Sequence, residues 1–184
     1  MGLSEWPIVL VVTFQGSRAQ LHWGFLNNRC VRSDGMPQET SMRTSARNHF
    51  SGQVSAVKAG AVNDEITLRT DSGLDIVAII THGSAASLGL AAGKPAFALV
   101  KASSVIVMVD GDAAKVSTRN VVAGTVESVT KGAVNAEVVI AATGGGAKIA
   151  AIVTNESVGN LGLAVGKAAS ALFKASSVIV GVDA

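Results

Sequence analysis

From Gln53 onward, short bursts of apolar side chains alternate with polar ones and are punctuated by glycine. Gln53-Val54-Ser55-Ala56-Val57 predicts a first strand, because a period of two gives the strand one apolar and one polar face. The turn Gly60-Ala61-Val62-Asn63 follows, then Glu65-Ile66-Thr67-Leu68-Arg69 as a second strand. Asp71-Ser72-Gly73 predicts a hairpin turn, and residues 74–80 a third strand. Residues 84–90 predict a short helix, capped by Ser84 and stopped by Gly89. Ala96-Phe97-Ala98-Leu99-Val100 and Val105-Ile106-Val107-Met108-Val109 are the fourth and fifth strands.

The pattern then repeats. Ser45-Ala46-Arg47-Asn48 returns as Ser117-Thr118-Arg119-Asn120, and Gly60-Ala61-Val62-Asn63 as Gly132-Ala133-Val134-Asn135. Thr81-His82-Gly83-Ser84 returns as Thr154-Asn155-Glu156-Ser157. Leu88-Gly89-Leu90 with Gly93-Lys94 returns as Leu161-Gly162-Leu163 with Gly166-Lys167, and Lys101-Ala102-Ser103-Ser104-Val105 as Lys174-Ala175-Ser176-Ser177-Val178. The offset is 72 residues, then 73 after Thr143-Gly144-Gly145-Gly146, where a turn gained one residue. Solenoid units run to about 20–50 residues, so this is a duplicated small domain. The predicted fold class is mainly all-β: two tandem OB-like five-stranded barrels, each with a short helix. Units of this size are near the lower limit of independent stability, so duplication and oligomerisation are expected to supply buried surface.

The expected division is an N-terminal extension over 1–42, a first repeat over 43–110, a linker over 111–116 and a second repeat over 117–184. Residues 1–41 hold both tryptophans, the lone Cys30 and two of the three prolines, without clear periodicity. With Met42 just ahead of the first repeat, they are read as an extension that is poorly ordered or not native to the protein.

Composition removes several functions. Net charge is +2 with 15% charged residues, which leaves no basic stripe for nucleic acid. Hydrophobic content is 48% and mean hydropathy +0.43, mostly from Ala and Val. No apolar run approaches the roughly 20 residues of a membrane-spanning helix. One cysteine excludes an internal disulfide and fits a reducing compartment. The apolar stretch Pro7-Ile8-Val9-Leu10-Val11-Val12 has no basic residue ahead of it and no small-residue cleavage site soon after. A cytoplasmic location is expected, where the sequon Asn155-Glu156-Ser157 has no meaning.

No Cys/His pair has metal-ligand spacing, and His22, His49 and His82 do not recur in the second copy. Gly89-Leu90-Ala91-Ala92-Gly93-Lys94 is one residue short of a phosphate loop and lacks the following Ser/Thr, so it reads as a helix stop and turn. The repeated Ser, Arg, Thr and Lys remain. Arg offers a planar fork of donors, Lys a mobile charge, and hydroxyls and helix-start amides neutral donors, a set suited to a tetrahedral oxyanion. Thr81 and Ser84 would equally serve as plain helix caps, and Arg47 and Lys101 as surface ion-pair partners.

Thr44-Ser45-Ala46-Arg47-Asn48 with Gly52, Gly-Ala-Val-Asn-x-Glu, Thr-x-x-Ser, Leu-Gly-Leu-x-x-Gly-Lys and Lys-Ala-Ser-Ser-Val, in this order in both copies, resembles the Mop family of molybdate-binding domains in its tandem form. The resemblance covers residues 43–184. It implies an OB-like barrel and an oxyanion site formed by Ser45, Ala46 (backbone N–H), Arg47, Thr81, Ser84 and Lys101. In the second copy the matching residues are Ser117, Thr118 (backbone N–H), Arg119, Thr154, Ser157 and Lys174. Thr118 departs from the usual Ala, and Gly83 near the helix start is expected to loosen its site. Asn63 and Asn135, in strand-connecting turns, are candidates for additional oxyanion sites near symmetry axes. The resemblance further implies a cytoplasmic homotrimer that stores molybdate, and tungstate with it, and is not an enzyme. It implies no separate cofactor, no bare metal cation, and no nucleic-acid or membrane partner. The alternative is the ligand-sensing module of a molybdate-responsive transcription regulator without its DNA-binding domain. An importer ATPase tail would need a phosphate loop.

Overall fold

The computed structural model describes residues 10–15, 18–23, 43–111 and 115–183. The chain divides into two compact units, residues 1–44 and 45–184. In the first, β1 (Leu10–Gln15) and β2 (Arg18–Trp23) form an antiparallel hairpin with Gln15 opposite Arg18. The sequence reading assigned no element there, although Val11-Val12-Thr13 is a β-branched run that favours a strand. The rest of the expectation for 1–42 lies outside the described residues, as does half of the linker, residues 112–114.

The second unit contains both repeats. The first supplies β3 (Asn48–Lys58), β4 (Asn63–Thr70), β5 (Asp75–Thr81), α1 (His82–Ser87), β6 (Pro95–Val100) and β7 (Ile106–Met108). The second supplies β8 (Asn120–Lys131), β9 (Asn135–Ala142), β10 (Lys148–Thr154), α2 (Asn155–Asn160), β11 (Ala168–Phe173) and β12 (Val178–Gly181). The strand count of each repeat matches the apolar alternation. In β8, residues 120–127 alternate buried and exposed without a break.

Sheet membership does not follow the division along the sequence. The two five-stranded sheets run β12-β6-β3-β4-β5 and β10-β9-β8-β11-β7. Each repeat thus lends its last strand to the other: Val178 pairs with Val100, and Leu172 with Ile106. A single 3-10 turn, Ala102–Ser104 or Ala175–Ser177, carries the chain across, packing on β10 or β5 of the opposite repeat. Both sheets are curled, as expected for OB-like barrels. Ile66, Leu68, Ile76 and Val100 fill the first interior, and Val126, Val138, Ile140, Ile149 and Phe173 the second, all at most 1% exposed. Each such side chain contributes roughly 1.5–3 kcal/mol by leaving water.

Close backbone approach fixes two glycines. A Cβ on Gly52 would lie 2.1 Å from the Arg69 carbonyl oxygen, and one on Gly124 would lie 2.2 Å from that of Ala141. A bulge follows in each long strand, between Val54 and Ala56 and between Val126 and Ser128. The Gly-Lys pairs dock beside these bulges. Gly93 N donates to Val54 O at 2.8 Å and Val54 N to Lys94 O at 2.9 Å. Lys94 Nζ also donates to Leu88 O at the end of α1, and Gly89 there has φ +58°. The glycine-lysine segment is therefore a helix stop and turn, as its spacing predicts.

Candidate oxyanion site

Asn48 and Asn120 open β3 and β8 and are buried. Asn48 Nδ2 donates to Val100 O at 3.1 Å and to Ala150 O at 2.9 Å, and its Oδ1 accepts from Ala150 N at 2.7 Å. Asn120 makes the matching pair of bonds to Val77, both 2.8 Å. Val77 and Ala150 lie on β5 and β10, the outer strands of their sheets. Each amide thus caps the open edge of the opposite repeat and carries the preceding arginine there. Arg47 forms an ion pair with Glu137, and Arg119 with Glu65. The two arginines are surface ion-pair partners, as one reading of the sequence allows, but the partner is in the other repeat.

Thr81 and Thr154 end β5 and β10 and cap the helices. Thr81 Oγ1 accepts from Ser84 N at 3.1 Å and lies 2.8 Å from Ser84 Oγ; the Thr154 and Ser157 distances are 3.0 and 2.9 Å. The cap is therefore Thr81, three residues earlier than the Ser84 expected from sequence. The first helical amides, His82 N and Asn155 N, donate to Val62 O and Val134 O at 3.0 Å. These bonds tie each helix start to its Gly-Ala-Val-Asn turn. Asn63 lies directly opposite Thr81, and Asn135 opposite Thr154.

Registers join the two halves. Glu137 lies opposite Ile152, and two residues along the same face come Asn135 and Thr154. That separation is roughly 6–7 Å. Arg47 is thereby directed to the face carrying Thr154, and Arg119, through Glu65, to the face carrying Thr81. The 3-10 turn that follows Lys101 packs on β10, and the one after Lys174 on β5. The registers thus relate Arg47 to the strand that ends at Thr154 and Arg119 to the strand that ends at Thr81, and the turns after Lys101 and Lys174 pack on those same two strands. Both lysines are exposed and make no ion pair among the described residues. Ser117, Thr118 and Lys174 also line a cavity of about 500 Å³ whose remaining wall is apolar, including Ile106, Leu161 and Phe173. The extra hydroxyl of Thr118 donates to Phe173 O at 2.6 Å.

Several contributors are not evident from sequence. Glu65 and Glu137 belong to a recurring motif, and their recurrence is the signal that would single them out. Asp64 has no counterpart, because Ala136 occupies that position in the second repeat. Its carboxylate is buried, accepts from Gly60 N at 3.1 Å and meets His82 Nδ1 at 3.0 Å. The Gly60 amide holds this carboxyl below the ordinary carboxylate range; burial opposes the shift and His82 adds to it. In the second repeat Asn155 Nδ2 instead donates to Gly132 O at 2.9 Å. Among the described residues no cluster of His, Cys, Asp and Glu could hold a metal cation, and no helix is long and apolar enough to cross a membrane.

The TOBE domain model matches twice, over residues 44–107 and 116–180. The chain is 45% identical over 142 residues to the molybdenum transport protein ModE of Azotobacter vinelandii, covering 77% of this chain and 52% of that protein. It is 43% identical over 142 residues to the molybdenum-pterin-binding protein MopA of Rhodobacter capsulatus, covering 77% and 53%. The chain spans about half the length of these curated relatives. A crystal structure of the cytoplasmic molybdate-binding protein ModG with molybdate bound matches with a TM-score of 0.74 and 49% identity, over 77% of this chain and 100% of that one.

Proposed function

This chain belongs to the TOBE-domain family, of which it carries two copies, and from that premise we propose that it binds molybdate, holding it reversibly for molybdenum storage and homeostasis. The observation that supports the proposal is the pairing of each arginine with a glutamate of the opposite repeat, on the strand face that carries that repeat's capping threonine. A dianion leaves water only where its charge is offset and its oxygens meet donors. Ser45, Arg47 and Lys101 with Thr154 and Ser157 supply one such set, and Ser117, Arg119 and Lys174 with Thr81 and Ser84 the other. The backbone amides of Ala46 and Thr118 complete them.

The full-length match to ModG supports a binding protein over the sensing module of a transcription regulator. It also supports a cytoplasmic location. Tungstate has the same charge and shape and shares the site. Sulfate has shorter bonds and is rejected by cavity size. No chemistry is performed on the ligand, so the protein is not an enzyme, and no nucleic acid or membrane takes part.

The working unit is a homotrimer. Most of the proposed donors are exposed in one chain, so a bound dianion would stay wet until another copy covered it. Exposed Val62 and Ile106 recur as Val134 and Ile179, apolar positions suited to that contact. Asn63 and Asn135 adjoin the Thr-x-x-Ser pairs and serve additional oxyanions there.

Calorimetric titration tests the reading. Molybdate and tungstate are expected to bind and sulfate to give little heat at equal concentration, with gel filtration giving the size of a trimer. Strong sulfate or phosphate binding without a molybdate signal would overturn it.

A further inference from the structure

Each proposed site contains an acidic residue that an anion site would ordinarily avoid. Arg119 Nη1 donates to Glu65 Oε2. Arg47 Nη1 faces Glu137 Oε2 as an ion pair without a well-directed hydrogen bond. The carboxylates are the more buried members, with side chains 25% and 26% exposed against 55% and 59% for the arginines. An exposed ion pair contributes little to stability by itself. These two recur at the repeat offset, however, each beside an asparagine locked to the opposite sheet. One guanidinium nitrogen is engaged, and a guanidinium has five N–H donors in a rigid fork.

We propose that Glu65 and Glu137 are positioning residues of the oxyanion sites, each holding the arginine of the other repeat so that its remaining donors face the ligand. The inference rests on the molybdate-binding reading. It explains why a carboxylate is kept beside a dianion: an unheld arginine must be ordered when ligand arrives, and that ordering weakens binding. It also predicts crossed dependence, with Glu65 serving the site of Arg119 and Glu137 that of Arg47.

The test is molybdate calorimetry on Glu65→Ala, Glu65→Gln and two double variants, with thermal unfolding alongside. Glu65→Ala is expected to weaken one class of sites by about three- to tenfold and leave the other unchanged. Glu65→Gln, which keeps a neutral acceptor, is expected to recover most of the loss. Glu65→Ala/Arg119→Ala should bind as Arg119→Ala alone does, whereas Glu65→Ala/Arg47→Ala should weaken both classes. Unchanged or tighter binding by Glu65→Ala would overturn the inference. So would equal weakening of all sites together with a lowered unfolding midpoint, which is the signature of a purely structural role. No molybdate heat from the unsubstituted protein would instead overturn the binding reading, and this inference with it.

Discussion

Asn48 and Ala150 lie 102 positions apart and exchange two hydrogen bonds, from Asn48 Nδ2 to Ala150 O at 2.9 Å and from Ala150 N to Asn48 Oδ1 at 2.7 Å. One side chain thereby acts as a single further residue of the opposite sheet. It satisfies an outer-strand peptide group that would otherwise be open to pairing with another chain.

Asn48→Ala is expected to lower stability by about 1–3 kcal/mol, because it leaves buried or partly buried backbone groups without their partner. Urea unfolding measures the loss. Asn48→Asp should do no better, since a carboxylate cannot donate to Val100 O and Ala150 O. Wild-type stability in either variant would show that the amide bonds are incidental.

A chain containing only residues 43–110 lacks the strand that completes its sheet. It is expected to be a dimer in which two copies exchange their last strands, as the two repeats do here. Sedimentation velocity distinguishes this from a folded monomer, and a stable monomer would count against the exchanged arrangement.

Gly52→Ala and Gly124→Ala should be severely destabilising, because the new methyl group meets backbone rather than a movable side chain. Gly83→Ala, whose Cβ would enter open space, is the control and should leave the unfolding midpoint nearly unchanged.

Arg119→Ala is expected to weaken molybdate at the site it serves by about 1.5–3 kcal/mol, the range for hydrogen bonds to a charged group. Arg119→Lys should restore only part of this, since the planar fork is lost. Calorimetry on both variants reads the difference, and equal affinity for Lys and Arg would reduce the residue to a diffuse charge.

Asp64 gives the fold a pH dependence. A carboxyl held below its usual range stabilises the folded state above its unfolded pKa, and that contribution is lost as pH falls through the folded value. The stability gap between the natural protein and Asp64→Asn should be largest above about pH 5 and shrink below about pH 4. Unfolding midpoints across this range check the sign, and a gap that widened in acid would contradict it.

The alternation in residues 53–57 and 65–69, the Asp71-Ser72-Gly73 turn and the glycine stop at Gly89 were legible because each is local. Period, turn chemistry and positive φ act within a few residues. The exchange of β7 and β12 was not legible: Val105-Ile106-Val107 reads as an apolar strand whichever sheet receives it. The helix cap was misplaced because Thr81 and Ser84 are both hydroxyl residues at capping distance, and choosing between them needs the end of β5. Recurrence pointed to Arg47, Arg119 and both lysines. It could not reveal that Glu65 and Glu137 face the two arginines from the other copy, because that contact exists only after the repeats have paired.

The strand exchange also sets an order of events during synthesis. The strand that completes the first sheet, Val178–Gly181, is made only after all the other strands of the second repeat. While the second repeat is being made, the Pro95–Val100 edge waits with its hydrogen-bonding groups open and its apolar face uncovered. At ordinary elongation rates of about 5–20 residues per second, that wait lasts several seconds. In that interval the nascent chain is most exposed to wrong partners, including the same edge on a neighbouring nascent chain.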